Sequence, residues 1–348
     1  MSESARERVY VIDLLRFVAA FGVLLYHLTF RSPEVDQLGS PLYPEFSAWT
    51  RYLHLGVPLF FMISGFVIFY SVEGKTALQF AWSRFVRLYP AYWLCCTLTF
   101  LLCHYLWRPY FTMTVHDWLV NLTMLQEYFK VEHIDPPYWT LAEELRFYGM
   151  TFGLMLIGQV HRRLTFVAVW MTLCAIDFWV KVPLARYEMT LEYAPMFAAG
   201  IVYYDMFKDG LKRVHAPLLA ATIILGLMRF LRWSARDGET MGAVCAPGVI
   251  IAIWLGIYAV FFLVVTRRLR IRQSTGWLAA LGGMTYPLYL IHNHVGTTLL
   301  ITFRSSLNRW TSLAAVALIV CVLAYAIWRW FETPMIRGLQ RLGKRLGL

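Results

Sequence analysis

Charge is scarce in this sequence. Asp, Glu, Lys and Arg make up 15% of the 348 residues, where soluble domains carry about a quarter. With 59% of the chain hydrophobic, a water-soluble fold has too little polar surface to cover it. Acidic residues are scarcest, 21 against 32 Lys and Arg, but the resulting charge of +11 is no nucleic-acid footprint. The basic residues fall in short clusters between apolar runs, where they set membrane topology, and no nucleic-acid partner is expected. Cysteine is sparse and unpatterned. Cys95, Cys96, Cys103, Cys174, Cys245 and Cys321 form no C-x-x-C pair and mostly sit in apolar runs, so they read as small buried hydrophobes. Metal-ligand spacing is missing: His292 and His294 are two apart, on different helix faces, and no metal is expected. A cleavable signal peptide is also missing, because the first apolar stretch carries Asp13 and Arg16 and lacks a small-residue cleavage site after it. No repeat, low-complexity tract or long linker divides the chain, so residues 1–348 read as one domain.

Long apolar runs are what the sequence has. A membrane helix needs about 20 largely apolar residues, and ten segments qualify, roughly 9–30, 52–71, 88–107, 138–158, 164–181, 190–207, 216–233, 245–266, 277–303 and 311–331. The predicted class is all-α, a polytopic helical bundle (1–331) followed by a basic tail (332–348). Placing the N-terminus in the cytoplasm puts 18 Lys and Arg in inner segments and 11 in outer ones. The cluster Arg267-Arg268-Leu269-Arg270-Ile271-Arg272 then falls inside, and both termini are cytoplasmic. Aromatic residues at 17% suit a chain with two water–lipid interfaces. In the longest outer connection, 108–137, the stretch His116 to Leu122 reads as an amphipathic helix at the interface. Asn121-Leu122-Thr123 there is a weak glycosylation sequon.

A charged side chain inside a span costs at least about 2.5–3.5 kcal/mol, so such residues face the bundle interior. In the first span, Asp13, Arg16 and His27 form one stripe. Eleven helical steps bring Arg16 and His27 within about 20° of each other, about 16 Å apart along the axis. Asp13 lies three residues from Arg16, on the same side. Arg84 and Arg87, also three apart, project together where the third span enters the membrane, a pairing suited to clamping phosphates. At the outer end of the fourth span stand two adjacent carboxylates, Glu143 and Glu144, of which one at most faces the interior squarely. Glu144 is expected at a depth similar to His27, where it could orient the imidazole. In the ninth span, Gly282-Gly283 permits close helix approach, Pro287 loosens the helix, and Tyr286, Tyr289 and His292 give one polar side.

Taken together these residues resemble acyltransferase family 3 membrane proteins, which acylate cell-surface carbohydrates and some secondary metabolites. The resemblance runs from Ile12-Asp13, Arg16 and His27 through Phe60-Phe61-Met62-Ile63-Ser64-Gly65-Phe66. It continues with Arg84, Arg87 and Leu88-Tyr89-Pro90, then Trp139-Thr140-Leu141, Glu144 and Phe147-Tyr148, and ends with Thr285 to His292 and Glu332-Thr333-Pro334. Departures are Leu14, Glu143 and Thr285, where the family often has Gly, Val and Ser; none removes a proposed functional group. Some members carry an appended esterase-like domain, and here only the basic tail follows the tenth span.

The resemblance implies an O-acyltransferase of the plasma (inner) membrane, using cytoplasmic acyl-CoA, usually acetyl-CoA, to acylate a hydroxyl of a surface or exported glycan. Polysaccharide-assembly proteins become candidate partners beside the lipid bilayer. On this reading Arg16, Arg84 and Arg87 bind the donor's anionic end, with Tyr286 and His292 also on the donor-binding side. Asp13 holds Arg16, and His27, poised by Glu144, removes a proton from the acceptor. The variant in which His27 itself is acylated first is left open by the residues. A transporter or flippase would also use charged stripes inside a bundle, though no inverted repeat supports it.

Overall fold

The computed structural model describes residues 10–31, 43–108, 111–240, 244–271 and 276–348; the expected cytoplasmic segment 1–8 and Arg272 lie outside these. Every regular element among the described residues is a helix. The first four are α1 (Tyr10–Thr29), α2 (Pro44–Thr50), α3 (Gly56–Val72) and α4 (Ala77–Leu101). After them come α5 (Val115–Asn121), α6 (Trp139–Leu156), α7 (Arg163–Trp179), α8 (Pro183–Glu188) and α9 (Ala194–Asp209). The chain continues with α10 (His215–Thr240), α11 (Pro247–Val265), α12 (Gly276–Ile291), α13 (His294–Phe303), α14 (Arg309–Ala326) and α15 (Thr333–Arg345).

Six helical segments among the described residues are long and apolar enough to cross a membrane: 10–29, 44–72, 77–106, 215–236, 247–265 and 309–345. The other four expected spans also form helices, α6, α7, α9 and α12, of 18, 17, 16 and 16 residues. Two boundaries differ from the sequence reading in ways that matter. Thr76 and Gln79 cap α4 reciprocally, each side chain taking the other's backbone amide at 3.2 Å. The helix therefore starts at Ala77, and Arg84 and Arg87 stand well inside it. The expected ninth span, 277–303, is not continuous. It breaks at His292-Asn293, between α12 and α13, because Asp135 on a neighbouring loop binds the backbone and side chain of the break. The tail also departs from the reading as a mere appendage: α14 winds through a π-helical turn, Ile327–Glu332, directly into α15.

The closest helix crossing joins α3 to α9. A Cβ on Gly65 would overlap the Phe197 carbonyl, and one on Gly200 would overlap the Met62 carbonyl. Only paired glycines allow this approach, which lets a bundle gain dispersion where water supplies no driving force. Buried ion pairs knot the helix ends. Asp177, fully buried, accepts from Arg229 at 2.9 Å and Arg186 at 3.1 Å, which accounts for one of the charges crowding the shared end of the fifth and sixth expected spans. At another end Asp205 takes Arg163 at 2.6 Å, His215 at 2.8 Å and Lys212 at 3.0 Å.

The connection 111–138 is docked against α4. Tyr92, Tyr89 and Trp93 donate to the carbonyls of Asn121, Thr123 and Leu122 at 2.8–2.9 Å. Asn121 is fully buried, donating to the Asp117 and Glu132 carbonyls and accepting from the Ile134 amide, so the sequon is closed to an enzyme.

Gly200→Ala is expected to force α3 and α9 apart at a cost of about 1–3 kcal/mol. Its unfolding temperature in nanodiscs should fall, while Gly256→Ala, with open space around its Cα, should leave the temperature unchanged.

Candidate active site

Two cavities lie along the inward stripe of α1. The smaller, about 50 Å³, is lined by Arg16, Val57, Phe60, Phe61, Thr140, Leu141, Glu144, Thr285, Tyr286 and Tyr289. The larger, about 320 Å³, is bounded by His27, His54, Val57, Pro136, Pro137, Trp139, Tyr289 and others. Val57 and Tyr289 belong to both walls.

Guanidinium groups gather at the Arg16 end. Arg84 and Arg87 from α4 are electrostatic neighbours of each other, and Arg87 is a neighbour of Arg16. Arg87 pairs with Glu332, whose side chain is fully buried. The π-helical turn that ends at Glu332 is what carries this carboxylate into the bundle, a use to which such turns are often put. The Arg87 guanidinium also sits over the Tyr286 ring, 5.3 Å from its centre, and the Tyr286 hydroxyl donates to the Leu88 carbonyl at 3.1 Å. Tyr286 thus reaches the expected donor site chiefly by holding Arg87. Asp13 is close enough to Arg16 to act on its charge, and it fills the space left by Gly282, where a Cβ would stand 2.6 Å from the carboxyl carbon. Arg16 Nε and Glu332 Oε2 are buried with no hydrogen-bond partner among the described residues, and polar groups left so are costly unless a ligand completes them.

The carboxylate pair is resolved by geometry. Glu143 points away from the cavities and binds Arg146 at 2.7 Å. Glu144 lines the smaller cavity and accepts from the Tyr148 hydroxyl at 3.2 Å. Its charged neighbours are Arg16, Arg84 and Arg87. The structure therefore corrects the pairing of Glu144 with His27: one turn into α6, the carboxylate has already descended to the depth of the arginines. A different carboxylate, Asp135, acts on His292, the imidazole beside His27.

At the other end, His27 meets His292, ring centres 5.0 Å apart and edge to face. His292 was expected on the donor-binding side, and the helix break instead stands it beside His27. His54, also on this cavity, is satisfied on both nitrogens, by the Arg51 carbonyl and by Ser234 Oγ at 3.1 Å. Sequence reasoning assigned no part to Glu332, Asp135, Tyr148 or His54. Glu332 had a signal, a carboxylate closing the last apolar run, and Asp135 stands just before Pro136-Pro137. Tyr148 was quoted only as part of a motif.

A family model described as an acyltransferase domain matches residues 9–329. The chain belongs to this acyltransferase family. The match takes in every site residue named above except Glu332, just beyond its end. Acyltransferase MdmB of Streptomyces mycarofaciens is 25% identical over 347 residues, covering 90% of this chain and 86% of its own length. No solved structure matches the chain.

Arg146 closes a second polar cluster on the far side of α6 from the acyltransferase cavities. It pairs with Glu127 in the connecting loop and stacks on Tyr187, 3.7 Å from the ring centre. Burial raises the Glu127 carboxyl, but hydrogen bonds from His133, Arg146 and Tyr187, with the Arg146 charge, overcome this and pull it from 4.5 down to about 2. A carboxyl lowered on folding stabilises the fold above its ordinary value, and that stabilisation fades as pH falls towards the folded value. Glu127→Gln should therefore unfold at a lower temperature than wild type at pH 7. The gap should narrow below pH 4.5 and close near pH 2; a gap independent of pH would refute the ion pair's role.

Proposed function

We propose that this membrane acyltransferase moves an acyl group, acetyl in the first instance, from cytoplasmic acyl-CoA to a hydroxyl of a cell-surface or exported glycan, working in the plasma (inner) membrane. The observation that carries the reading is the polarity of the α1 stripe: three arginines gather at one end, two imidazoles at the other, and the two cavities share the Val57 and Tyr289 walls. Phosphates of a nucleotide donor suit the arginine end, where planar, permanently charged donors bind anionic oxygens in pairs. The donor's pantetheine arm is long enough to span the roughly 16 Å from Arg16 to His27. The nucleotide then stays on the arginine side while the thioester reaches the larger cavity.

Each residue has a part in that transfer. Arg16, Arg84 and Arg87 hold the phosphates, with Asp13, Glu144 and Glu332 keeping the empty site from accumulating uncompensated charge. His27 accepts the proton of the acceptor hydroxyl as its oxygen attacks the thioester carbon. The tetrahedral adduct collapses by breaking the C–S bond, and the imidazolium returns the proton to the departing thiolate. Base catalysis of this kind contributes about 10²–10⁴ in rate. The acceptor enters from the wide cavity, whose Trp139, Tyr26 and Trp233 walls suit the apolar faces of sugar rings.

His27→Ala should keep its binding of acetyl-CoA and lose about 10²–10⁴ in turnover; a folded variant acylating at the wild-type rate would sink the mechanism. Arg84→Ala should instead raise KM for acetyl-CoA. Thermal stabilisation by acetyl-CoA, relative to free pantetheine, should vanish in Arg84→Ala. The acceptor class is tested by mass spectrometry of surface glycans from cells with and without the gene: an acetyl increment dependent on the gene is expected, and identical glycans would refute it.

A further inference from the structure

The histidine beside the proposed base has its own hydrogen-bond logic. His292 Nδ1 lies 2.6 Å from the Tyr289 carbonyl. A carbonyl only accepts, so Nδ1 carries the proton and Nε2 of the neutral ring is a bare lone pair. That nitrogen is fully buried and has no partner among the described residues. The His27 ring lies edge to face with that of His292, centres 5.0 Å apart, and also lines the wide cavity. The other two histidines nearby are spoken for: His54 is bonded on both nitrogens, and His294 Nδ1 faces the Ile134 carbonyl at 3.0 Å.

Much of the surrounding backbone serves to keep His292 there. Asp135, almost fully buried, accepts from Asn293 Nδ2 at 2.8 Å and from the His294 amide at 3.2 Å. The Tyr138 hydroxyl donates to the Leu290 carbonyl at 3.0 Å. These bonds satisfy polar groups that the break between α12 and α13 would otherwise strand at membrane depth.

We propose that His292 is a positioning residue for His27: its bare Nε2, unpaired in the resting geometry, takes up the N–H of the adjacent His27 ring when the acceptor binds, fixing the tautomer that presents the other His27 nitrogen, bare and basic, to the cavity. When His27 takes the acceptor's proton, His292 shares the charge, and the proton returns through His27 to the thiolate. The role is the one that a carboxylate fills in hydrolase triads, here filled by a second imidazole. The kinetic part rests on the acyltransfer reading above, whereas the tautomer does not.

The test uses the full chain, labelled with ¹⁵N-histidine, in nanodiscs drawn from membranes that carry their own surface glycans as the acceptor source. Ring-nitrogen shifts should show His27 in a single tautomer in wild type and a mixture in His292→Phe, with His292→Gln, which keeps an acceptor oxygen, restoring the single form. A mixed His27 in wild type overturns the proposal without any variant, so a misfolded His292→Phe does not shield it. Thiol release from acetyl-CoA in the same membranes gives the second readout. His292→Phe should lose roughly 10–100-fold in kcat with KM for acetyl-CoA unchanged, and His292→Gln should recover part. A raised KM at full kcat would reassign His292 to donor binding and refute the proposal. Absence of thiol release from wild type, alongside the single tautomer, would count against the acyltransfer reading and leave the imidazole pair standing.

Discussion

An ionised side chain is expensive in hydrocarbon, and this requirement organises the bundle. Arg16, Arg84 and Arg87 are tolerable only where other helices wall them off and supply carboxylates. Close approach of α12 to α1 does the first, with Gly282 making room for Asp13. The second draws on distant parts of the chain, Glu144 from α6 and Glu332 from the π-helical turn before α15. Remaining ionisable residues in or near the spans obey the same rule at other places: Asp177 with Arg229, Asp205 with Arg163, Glu127 with Arg146. The interior of the site is therefore charged yet nearly balanced, which is the condition for holding a polyanionic ligand without a standing excess of positive charge in an apolar slab.

Backbone obeys a parallel constraint. A helix cannot simply stop inside a bundle, because its freed amides and carbonyls have no water to turn to. The α12–α13 break is possible because the 134–138 loop acts as its solvent through Asp135 and Tyr138, and the Tyr289 hydroxyl of α12 ties back to the Pro137 carbonyl at 3.1 Å and Thr140 at 2.8 Å. This loop also precedes α6 directly, so the segment that positions His292 is continuous with the one that positions Glu144. The two ends of the site are built from a shared piece of chain.

How much of this the sequence disclosed follows from the range of each interaction. The Asp13–Arg16–His27 stripe and the Arg84–Arg87 pair are periodicities within one helix, and α1 and α4 realise both. The helical class and the apolar segments were legible for the same reason. The choice between Glu143 and Glu144 was not, since it depends on Arg146 competing for the first and on how α6 is rotated against α1 and α3. The helix break was invisible because nothing at His292-Asn293 is a strong local breaker; its cause lies in Asp135, more than 150 residues earlier. Glu332 was quoted as part of a motif, but its partner on α4 could be found only in three dimensions.

Val57 and Tyr289 form the partition between the cavities, and Tyr289 is held by hydrogen bonds at its hydroxyl. A protein handling reagents from opposite sides of a membrane faces an insulation problem: any open bore wide enough for chemistry would also conduct protons and salt. On the proposed function, a tethered phenol in the wall shared by the two cavities answers it. On that reading it would confine whatever crosses to something as slender as a single alkyl-like thread, and a bore so filled would conduct neither protons nor salt between turnovers.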